Sequence, residues 1–277
     1  MLTYPQIDPV IFRIGPLQPR WYGLMYLIGF LYAFRLLKKY HRWIGLPSVE
    51  VADSVLANLV FGLIVTARLV YVIFYNFSET MAGPWWEVFA IWHGGLAFHG
   101  GLLGVVLGGW YVAWKYKIRW QRLTDVLALA TPVGLGLGRI ANFINGELWG
   151  RVTDLPWGMV FPTGGPQPRH PSQLYESFLE GLVLYVILHL VWRRKPKVGV
   201  VSSVFLLCYA FFRILVEFVR EPDAQVGFLW GGVTMGQLLS CTMIVFGSWM
   251  LRQAMTRGDD HDAPPPAMAF SGKKKKV

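Results

Sequence analysis

Residues 126–144 read VLALATPVGLGLGRIANFI, a stretch with one charged side chain, that of Arg139. A run of roughly 20 apolar residues is long enough to cross the hydrocarbon core of a bilayer as a helix. Other stretches of the chain share this length and composition. The sequence therefore predicts an all-α, polytopic membrane protein with about seven transmembrane helices, at residues 21–40, 51–75, 96–114, 126–144, 174–192, 198–219 and 233–251.

The overall composition supports this fold class. Of the 277 residues, 54% are hydrophobic and only 15% are charged, and the mean hydropathy is +0.42, whereas about a quarter of the residues are charged in an ordinary soluble domain. Residues 1–20 lack the cationic start and cleavable apolar core of a signal peptide, so the first span is predicted to act as the insertion signal. The two cysteines, Cys208 and Cys241, fall inside predicted spans and are interpreted as packing residues rather than a disulfide or a metal site.

Lysine and arginine side chains lie on alternate loops. They follow the first span, separate the third from the fourth and the fifth from the sixth, and follow the seventh. By the positive-inside rule these loops face the cytoplasm, which places the N-terminus in the periplasm and the C-terminus in the cytoplasm. The net charge of +10 is largely this topology signal and gives no support to nucleic-acid binding.

The sequence predicts one folded domain followed by a tail. Residues 1–257 are expected to form a single integral-membrane catalytic domain with a small periplasmic cap segment. Residues 258–277 contain prolines, acidic residues and a lysine run, which predict a disordered cytoplasmic tail. The run at 273–276 either contacts anionic lipid head groups or is an appended sequence.

Ionisable side chains inside the predicted spans indicate a functional site. A single arginine at the centre of a helix costs about 2.5–3.5 kcal/mol on insertion, so such residues are by default functional. In the predicted topology Arg68, Arg139, Arg213 and His99 all lie in the outer half of the bilayer. The ionisable residues within spans are Arg68, Arg139, Arg213 and Glu217, and the same layer contains Tyr22, His170, Gln173 and Glu176.

The sixth span has its polar residues on one helical face. Tyr209, Arg213 and Glu217 are spaced at i, i+4 and i+8, and Arg220 follows three residues later. If this face is turned toward the other helices, its polar groups can form hydrogen bonds and ion pairs there and avoid contact with lipid. A purely architectural alternative is that Arg213 and Glu217 neutralise each other.

Arg139 has no acidic residue within a turn of its own helix. Its planar guanidinium suits a phosphate, and Asn142 adds a donor on the same face through its i, i+3 spacing. Asn145 and Gly146 read as a helix end and turn, which places Glu147 outside the helix at head-group level. A buried cationic pocket at this depth predicts a site for the phosphate of a lipid.

Several motifs together resemble the bacterial prolipoprotein diacylglyceryl transferase family. They occur in the expected order over about residues 20–240, and the long Arg-Asn-Phe-Asn-Gly-Glu signature is highly specific. The motifs are WYGLMY at 21–26, RLVYVIFYN at 68–76, HGGLAFHGG at 93–101, GRIANFINGELWGR at 138–151, RHPSQLYE at 169–176 and FRILVEFVREPD at 212–223.

The resemblance implies an enzyme of the bacterial inner membrane whose active site faces the periplasmic leaflet. Such an enzyme transfers the diacylglyceryl group of phosphatidylglycerol to the lipobox cysteine thiol of prolipoproteins. A thioether forms and glycerol 1-phosphate is released, which is the first step of lipoprotein maturation. Its partners are phosphatidylglycerol and prolipoprotein signal peptides, and no cofactor or metal is expected.

The resemblance and the residue pattern together give a set of candidate site residues. The catalytic group is predicted to be His99, Arg139, Arg213 and Glu217, and the substrate-binding group to be Tyr22, Arg68, Asn142, Asn145, Glu147, Tyr209 and Arg220. Arg139 and Arg213 would bind the phosphate, because preorganised cations stabilise a developing anion most strongly in a low dielectric.

His99 is the candidate general base for the thiol. A thiol with a pKa of about 8.5 is only a few per cent ionised at pH 7, so a nearby base or a group that positions the thiol would help. A helix-entry histidine bonded to a backbone carbonyl is one alternative. A metal site with His93 is another, although six residues of helix separate the two side chains by about 240°.

Two other classes of protein remain as alternatives. A small-anion or lipid transporter would line a passage with the same arginines, but such proteins usually show internal repeats and midplane sites. An intramembrane protease would need a catalytic pair, and Ser172 has only His170 near it in sequence.

Overall fold

The computed structural model describes residues 2–15, 17–222, 227 and 229–265. In this part of the chain the extended pairings are isolated bridges only, so the all-α prediction is confirmed. Within the same ranges, shorter helical turns connect seven long helices, which overlap the predicted spans. These are α1 (Trp21–Lys39), α2 (Val51–Tyr75), α3 (Phe98–Tyr116), α4 (Trp120–Asn145), α5 (Ser172–Arg193), α6 (Val200–Glu217) and α7 (Met235–Arg257).

Four of these helices are long and apolar enough to cross a membrane by length and composition, counted over the described residues. They are α2, α4, α5 and α6. The protein is therefore a helical protein with the character of a multi-pass membrane protein. The number of crossings and the orientation of the termini stay predictions.

Contacts between residues divide the chain into two compact units. Counting the described residues only, the first unit contains those of 2–36 and 124–263, and the second contains those of 37–123 and 264–265. The prediction that 1–257 act as one catalytic domain is not tested by this division and stays a prediction.

In the second unit, α2 and α3 pack with their backbones in direct contact. A Cβ atom added to Gly104 would collide with the backbone of Gly62, and one added to Gly100 would lie 2.6 Å from the carbonyl oxygen of Thr66. Small residues at a four-residue interval are the usual means by which membrane helices approach closely. The glycines that open the apolar part of α3 therefore serve helix packing.

In the first unit, α4 and α5 approach as closely. A Cβ atom on Gly181 would lie 2.7 Å from the Cα atom of Gly136, and the Ser177 hydroxyl donates to the Gly136 carbonyl over 3.0 Å. Within α5 the segment Ser177–Val183 has π-helical geometry. Such wide turns inside α-helices are rare and often occur at functional sites.

Asp125 of α4 fixes the start of α6. Its buried carboxylate accepts hydrogen bonds from the backbone N–H of Gly199 (2.7 Å) and of Ser202 (2.8 Å), and from the Ser202 hydroxyl (2.7 Å). The first N–H groups of a helix have no partner within the helix, and a negative charge there also opposes the positive end of the helix dipole. This contact joins the two helices that contain Arg139 and Arg213.

Replacing Asp125 with alanine should lower the free energy of unfolding by about 1–3 kcal/mol, because it leaves buried N–H groups without an acceptor. Thermal unfolding of the purified protein in detergent would measure the change. Asp53→Ala is the control, since Asp53 forms a solvent-accessible pair with Lys38 (3.0 Å) and exposed pairs contribute little. Equal stability of the Asp125 variant and the parent would contradict the capping role.

A small cap of irregular chain covers the end of α4. The Tyr4 hydroxyl donates to the carbonyls of Phe143 (2.6 Å) and Ile144 (3.1 Å) in the last turn of α4, and the Gly146 N–H also donates to the Phe143 carbonyl (3.0 Å). Tyr4 and Phe143 are buried with Met159 and Phe161 of the cap. The N-terminal segment and residues 146–171 are thus held on the same end of the first unit.

The described part of the tail follows α7 without further helix. Asp259 accepts a hydrogen bond from the Val198 backbone N–H (2.9 Å), and Asp262 pairs with Lys195 (3.0 Å). The predicted disorder of residues 258–277 stays a prediction. The lysine run at 273–276 lies outside the described residues.

Candidate functional site

Charged side chains from three helices of the first unit meet at one buried carboxylate, that of Glu176 in α5. Its Oε2 atom lies 2.5 Å from Arg139 Nε of α4, and its Oε1 atom accepts a hydrogen bond from Arg213 Nη1 of α6 over 3.0 Å. Arg220 Nε lies 3.6 Å from the same Oε1 atom. The predicted convergence of Arg139 and Arg213 is therefore present in the structure, and an acidic residue from a third helix joins them.

Glu217 is the second carboxylate of this cluster. Its oxygens lie 2.9 Å from Arg213 Nη2 and 3.8 Å from Arg220 Nη1. The pairing of Arg213 with Glu217 that a purely architectural interpretation expected does exist. This ion pair is one part of a network that also includes Glu176 and Arg139. Mutual neutralisation of Arg213 and Glu217 therefore does not explain the whole cluster.

The cluster opens on the side of its guanidinium groups. The Arg139 and Arg213 side chains are 19% and 13% exposed, whereas Glu176 is fully buried. In the described part of the chain, the two terminal nitrogens of Arg139 form no hydrogen bond. Partly exposed donors on a mostly buried positive group suit an anionic ligand.

Glu180 lies one helical turn beyond Glu176 on α5 and is fully buried. Neither of its carboxylate oxygens has a hydrogen-bond partner among the described residues. It interacts electrostatically with Glu176 and Arg139, and with the Tyr209 hydroxyl of α6.

The sequence pattern did not identify these two glutamates as site residues. Glu176 is grouped by sequence with the layer of the arginines, which it does contact, but receives no role, and Glu180 is not included. An available signal was their i, i+4 spacing inside an apolar span, which puts both on one helical face. Spacing along α4 alone shows no acidic partner for Arg139, because that partner, Glu176, belongs to α5.

A second group of candidates forms the turn after α4. The helix ends at Asn145, and Gly146 adopts a positive φ of 68°, as predicted. The Glu147 carboxylate accepts hydrogen bonds from the side-chain amides of Asn142 (2.9 Å) and Asn145 (3.1 Å). The Tyr22 hydroxyl of α1 interacts electrostatically with Glu147 and with Arg139, so this turn adjoins the arginine cluster.

The cap is joined to the end of α6 by Arg151. Its Nε donates to the Arg220 carbonyl over 3.0 Å, and its Nη2 donates to the Glu217 carbonyl over 3.3 Å. The backbone of Arg151 also donates to the Val219 carbonyl over 2.8 Å. These bonds fix the segment on which Glu217 and Arg220 lie.

Ser172 and His170 do not form the pair that a protease would need. Ser172 is fully buried and its hydroxyl donates to the Leu148 carbonyl (3.1 Å). The Nδ1 atom of His170 lies 3.2 Å from the Tyr175 hydroxyl, and burial lowers the pKa of the imidazole from its ordinary value. Both residues support the junction of the cap with α5.

Arg68 and His99 lie in the second unit. The Arg68 guanidinium is buried and donates to the backbone carbonyls of Val88 (3.0 Å), Gly94 (2.6 Å) and Glu87 (2.6 Å). Arg68 therefore holds the loop before α3, and its donors are engaged there. His99 lies exposed in the first turn of α3. The described residues contain no group of three or more metal-binding side chains.

Comparison with known proteins identifies one family over most of the chain. Residues 9–252 match the family model described as prolipoprotein diacylglyceryl transferase. A protein of Geobacter sulfurreducens is 54% identical over 251 residues, which cover 90% of this chain and 96% of that protein. Proteins of Shewanella sp. and Aeromonas salmonicida are 50% and 49% identical, covering 90% and 92% of this chain and 97% and 93% of their own lengths.

All three relatives are named phosphatidylglycerol–prolipoprotein diacylglyceryl transferase. The family match spans most of the chain and includes the helices that bring Arg139, Glu176 and Arg213 together. This chain therefore belongs to the prolipoprotein diacylglyceryl transferase family.

Proposed function

We propose that this protein transfers the diacylglyceryl group of phosphatidylglycerol to the lipobox cysteine thiol of prolipoproteins. The thiol sulfur forms a thioether with the glyceryl carbon, and glycerol 1-phosphate leaves. The observation that supports this most strongly is the convergence of Arg139 and Arg213 from separate helices on Glu176, with the Arg139 side chain still 19% exposed. These guanidinium groups would bind the phosphodiester and stabilise the phosphate as it leaves.

The chemistry of the leaving group explains why such a cluster is useful. The phosphate gains negative charge as the carbon–oxygen bond breaks, and fixed cations in a low-dielectric site stabilise that charge without reorganising. Glu176 and Glu217 orient the arginines through ion pairs of 2.5 Å to 3.8 Å. Tyr22, Asn142, Asn145 and Glu147 would contact the head group beside them.

The remaining candidates would act on the peptide substrate, complete the arginine cluster or hold a loop in place. His99 would act on the peptide thiol, as its base or as the group that positions it. Tyr209 and Arg220 complete the cluster on the side of α6. Arg68 would contribute by holding the loop that precedes His99, since its donors bind that loop.

We further propose that all seven long helices cross the bacterial inner membrane and that the site faces the periplasmic leaflet. The alternation of lysine and arginine on the loops supports this orientation. The end of the first unit with the cap and the Glu147 turn would then be periplasmic. Phosphatidylglycerol and the signal peptide would both reach the site from the outer leaflet.

A two-substrate assay tests this function. The purified protein is incubated with phosphatidylglycerol and a peptide containing a lipobox cysteine. The expected products are a thioether-linked diacylglyceryl peptide, detected by mass spectrometry, and an equal amount of glycerol phosphate. A Cys→Ser peptide is the matched control and should give neither product. Absence of the thioether product with the cysteine peptide would exclude the function.

A further inference from the structure

Glu180 is the one glutamate of the arginine cluster whose carboxylate has no ion pair or hydrogen bond in the described part of the chain. Both its oxygens are buried, and the residue is 0% exposed. A buried, unpaired carboxylate is costly, and such a group persists where it is used or where it is protonated. It lies within the π-helical segment Ser177–Val183, next to the close contact between Gly181 and Gly136.

The charged and titratable groups that interact with Glu180 come from α4, from α5 and from α6 with the residues that follow it. Glu176 lies one turn away on α5, and Arg139 of α4 interacts with Glu180 electrostatically. From α6 come the Arg213 guanidinium and the Tyr209 hydroxyl, and Arg220 follows the end of α6. The cluster therefore combines three arginines with three glutamates and has balanced charge when all are ionised.

A reaction in this cluster would change its charge. The phosphodiester enters with one negative charge, and the glycerol phosphate that leaves bears up to two. The thiol meanwhile loses a proton. A proton acceptor inside the cluster would keep the total charge of this low-dielectric site constant, whereas an acceptor outside it would leave an additional buried negative charge.

We propose that Glu180 accepts the proton of the lipobox thiol during transfer. The proposal rests on the proposed function. The thiol proton passes to the Glu180 carboxylate, the sulfur electron pair forms the bond to the glyceryl carbon, and the electron pair of the broken carbon–oxygen bond leaves on the phosphate. Glu180 loses its negative charge as the phosphate gains one, and its proton is later released to water.

The other two glutamates are unsuited to this role. Glu176 contacts three arginines and Glu217 contacts two, so a proton on either would weaken ion pairs that orient the phosphate site. Glu180 has no such bond to lose. The Tyr209 hydroxyl interacts electrostatically with both Glu180 and Arg213, and a hydroxyl is able both to donate and to accept a hydrogen bond.

The test compares kcat, KM for phosphatidylglycerol and pH profiles of Glu180→Gln with those of the parent. Glutamine has the same shape but cannot accept the proton, so kcat should fall about 10²- to 10⁴-fold. KM for phosphatidylglycerol should stay equal or fall, because a negative charge beside the phosphate is removed. The parent kcat should decline toward acid pH as Glu180 becomes protonated, and this decline should be absent in Glu180→Gln.

Three further variants make the result decisive. Glu180→Asp retains a carboxylate and should keep part of the activity, together with the fall of kcat toward acid pH, which is called the acid decline below. Glu79→Gln, an exposed glutamate on a short helix, should match the parent. His99→Gln should retain the acid decline if Glu180 is the acceptor.

Each other outcome has a definite meaning. Parent-like kcat in Glu180→Gln overturns the proposal, as does loss of the acid decline in His99→Gln alone. If Glu180→Gln fails to fold, a Glu180→Asp variant that is active but lacks the acid decline also overturns it. No thioether product with the parent enzyme rejects the transferase function itself, whereas product formation with an unchanged Glu180→Gln profile rejects only the role of Glu180.

Discussion

Replacing Arg139 with alanine is expected to lower kcat/KM by about 10²- to 10³-fold while the protein still inserts and folds. The variant loses the partly exposed guanidinium that is proposed to bind the phosphate. Glu176 keeps its contacts with Arg213 (3.0 Å) and Arg220 (3.6 Å), so the buried carboxylate is not left unpaired. Initial rates with phosphatidylglycerol and lipobox peptide, together with thermal unfolding in detergent, measure both parts of the expectation.

Two matched variants separate charge from geometry in this test. Arg139→Lys keeps the positive charge but loses the planar fork, and should recover only part of the rate. Arg13→Ala removes an arginine from an exposed pair with Asp8 (2.8 Å) and should leave the rate unchanged. Parent-like turnover by Arg139→Ala would remove the phosphate-binding role from the mechanism.

Replacing Glu176 with alanine is expected to destabilise the protein by about 3–5 kcal/mol, the usual cost of removing one partner from a buried ion pair. Arg139, Arg213 and Arg220 would face one another across the space of the lost carboxylate. Glu217 contacts only the last two of these arginines. The variant should therefore unfold at a markedly lower temperature than the parent and lose activity.

The exposed pair of Arg13 and Asp8 again supplies the comparison. Asp8→Ala removes a carboxylate from a pair whose side chains are more than half exposed, and exposed pairs contribute about 0–1 kcal/mol. Its unfolding temperature should match that of the parent. If Glu176→Ala were as stable as Asp8→Ala, the carboxylate would not be the centre that orients the arginines.

The helices could be predicted well because apolar length decides them. The span expected at 51–75 coincides with α2, and the one expected at 198–219 contains α6. The start of α4 was missed by several residues. Arg122 and Asp125 lower the local hydropathy, yet both are buried and bonded, Arg122 to the Trp43 carbonyl (2.7 Å) and Asp125 to the start of α6.

The site was only partly predictable because contacts between helices leave no mark in local spacing. The cost of a buried arginine identified Arg139 and Arg213, and helical periodicity grouped Arg213 with Glu217. The role of Glu176 depends on how α5 packs between α4 and α6. Arg68 was identified by the same cost, but its structural role could not be predicted. Its partners are backbone carbonyls, which every residue has, so no side-chain pattern indicates them.

The contact between Gly136 and Gly181 also bears on how a substrate with two fatty tails gets in and out. At that height the main chains of α4 and α5 touch, and not even a methyl group fits between them. The acyl chains of a lipid cannot pass between α4 and α5 at this level unless the two helices separate, which would disrupt the packing of the first unit. A lipid substrate would therefore enter between a different pair of helices. Replacing Gly136 or Gly181 with a larger residue would push α4 and α5 apart rather than block the route of the lipid.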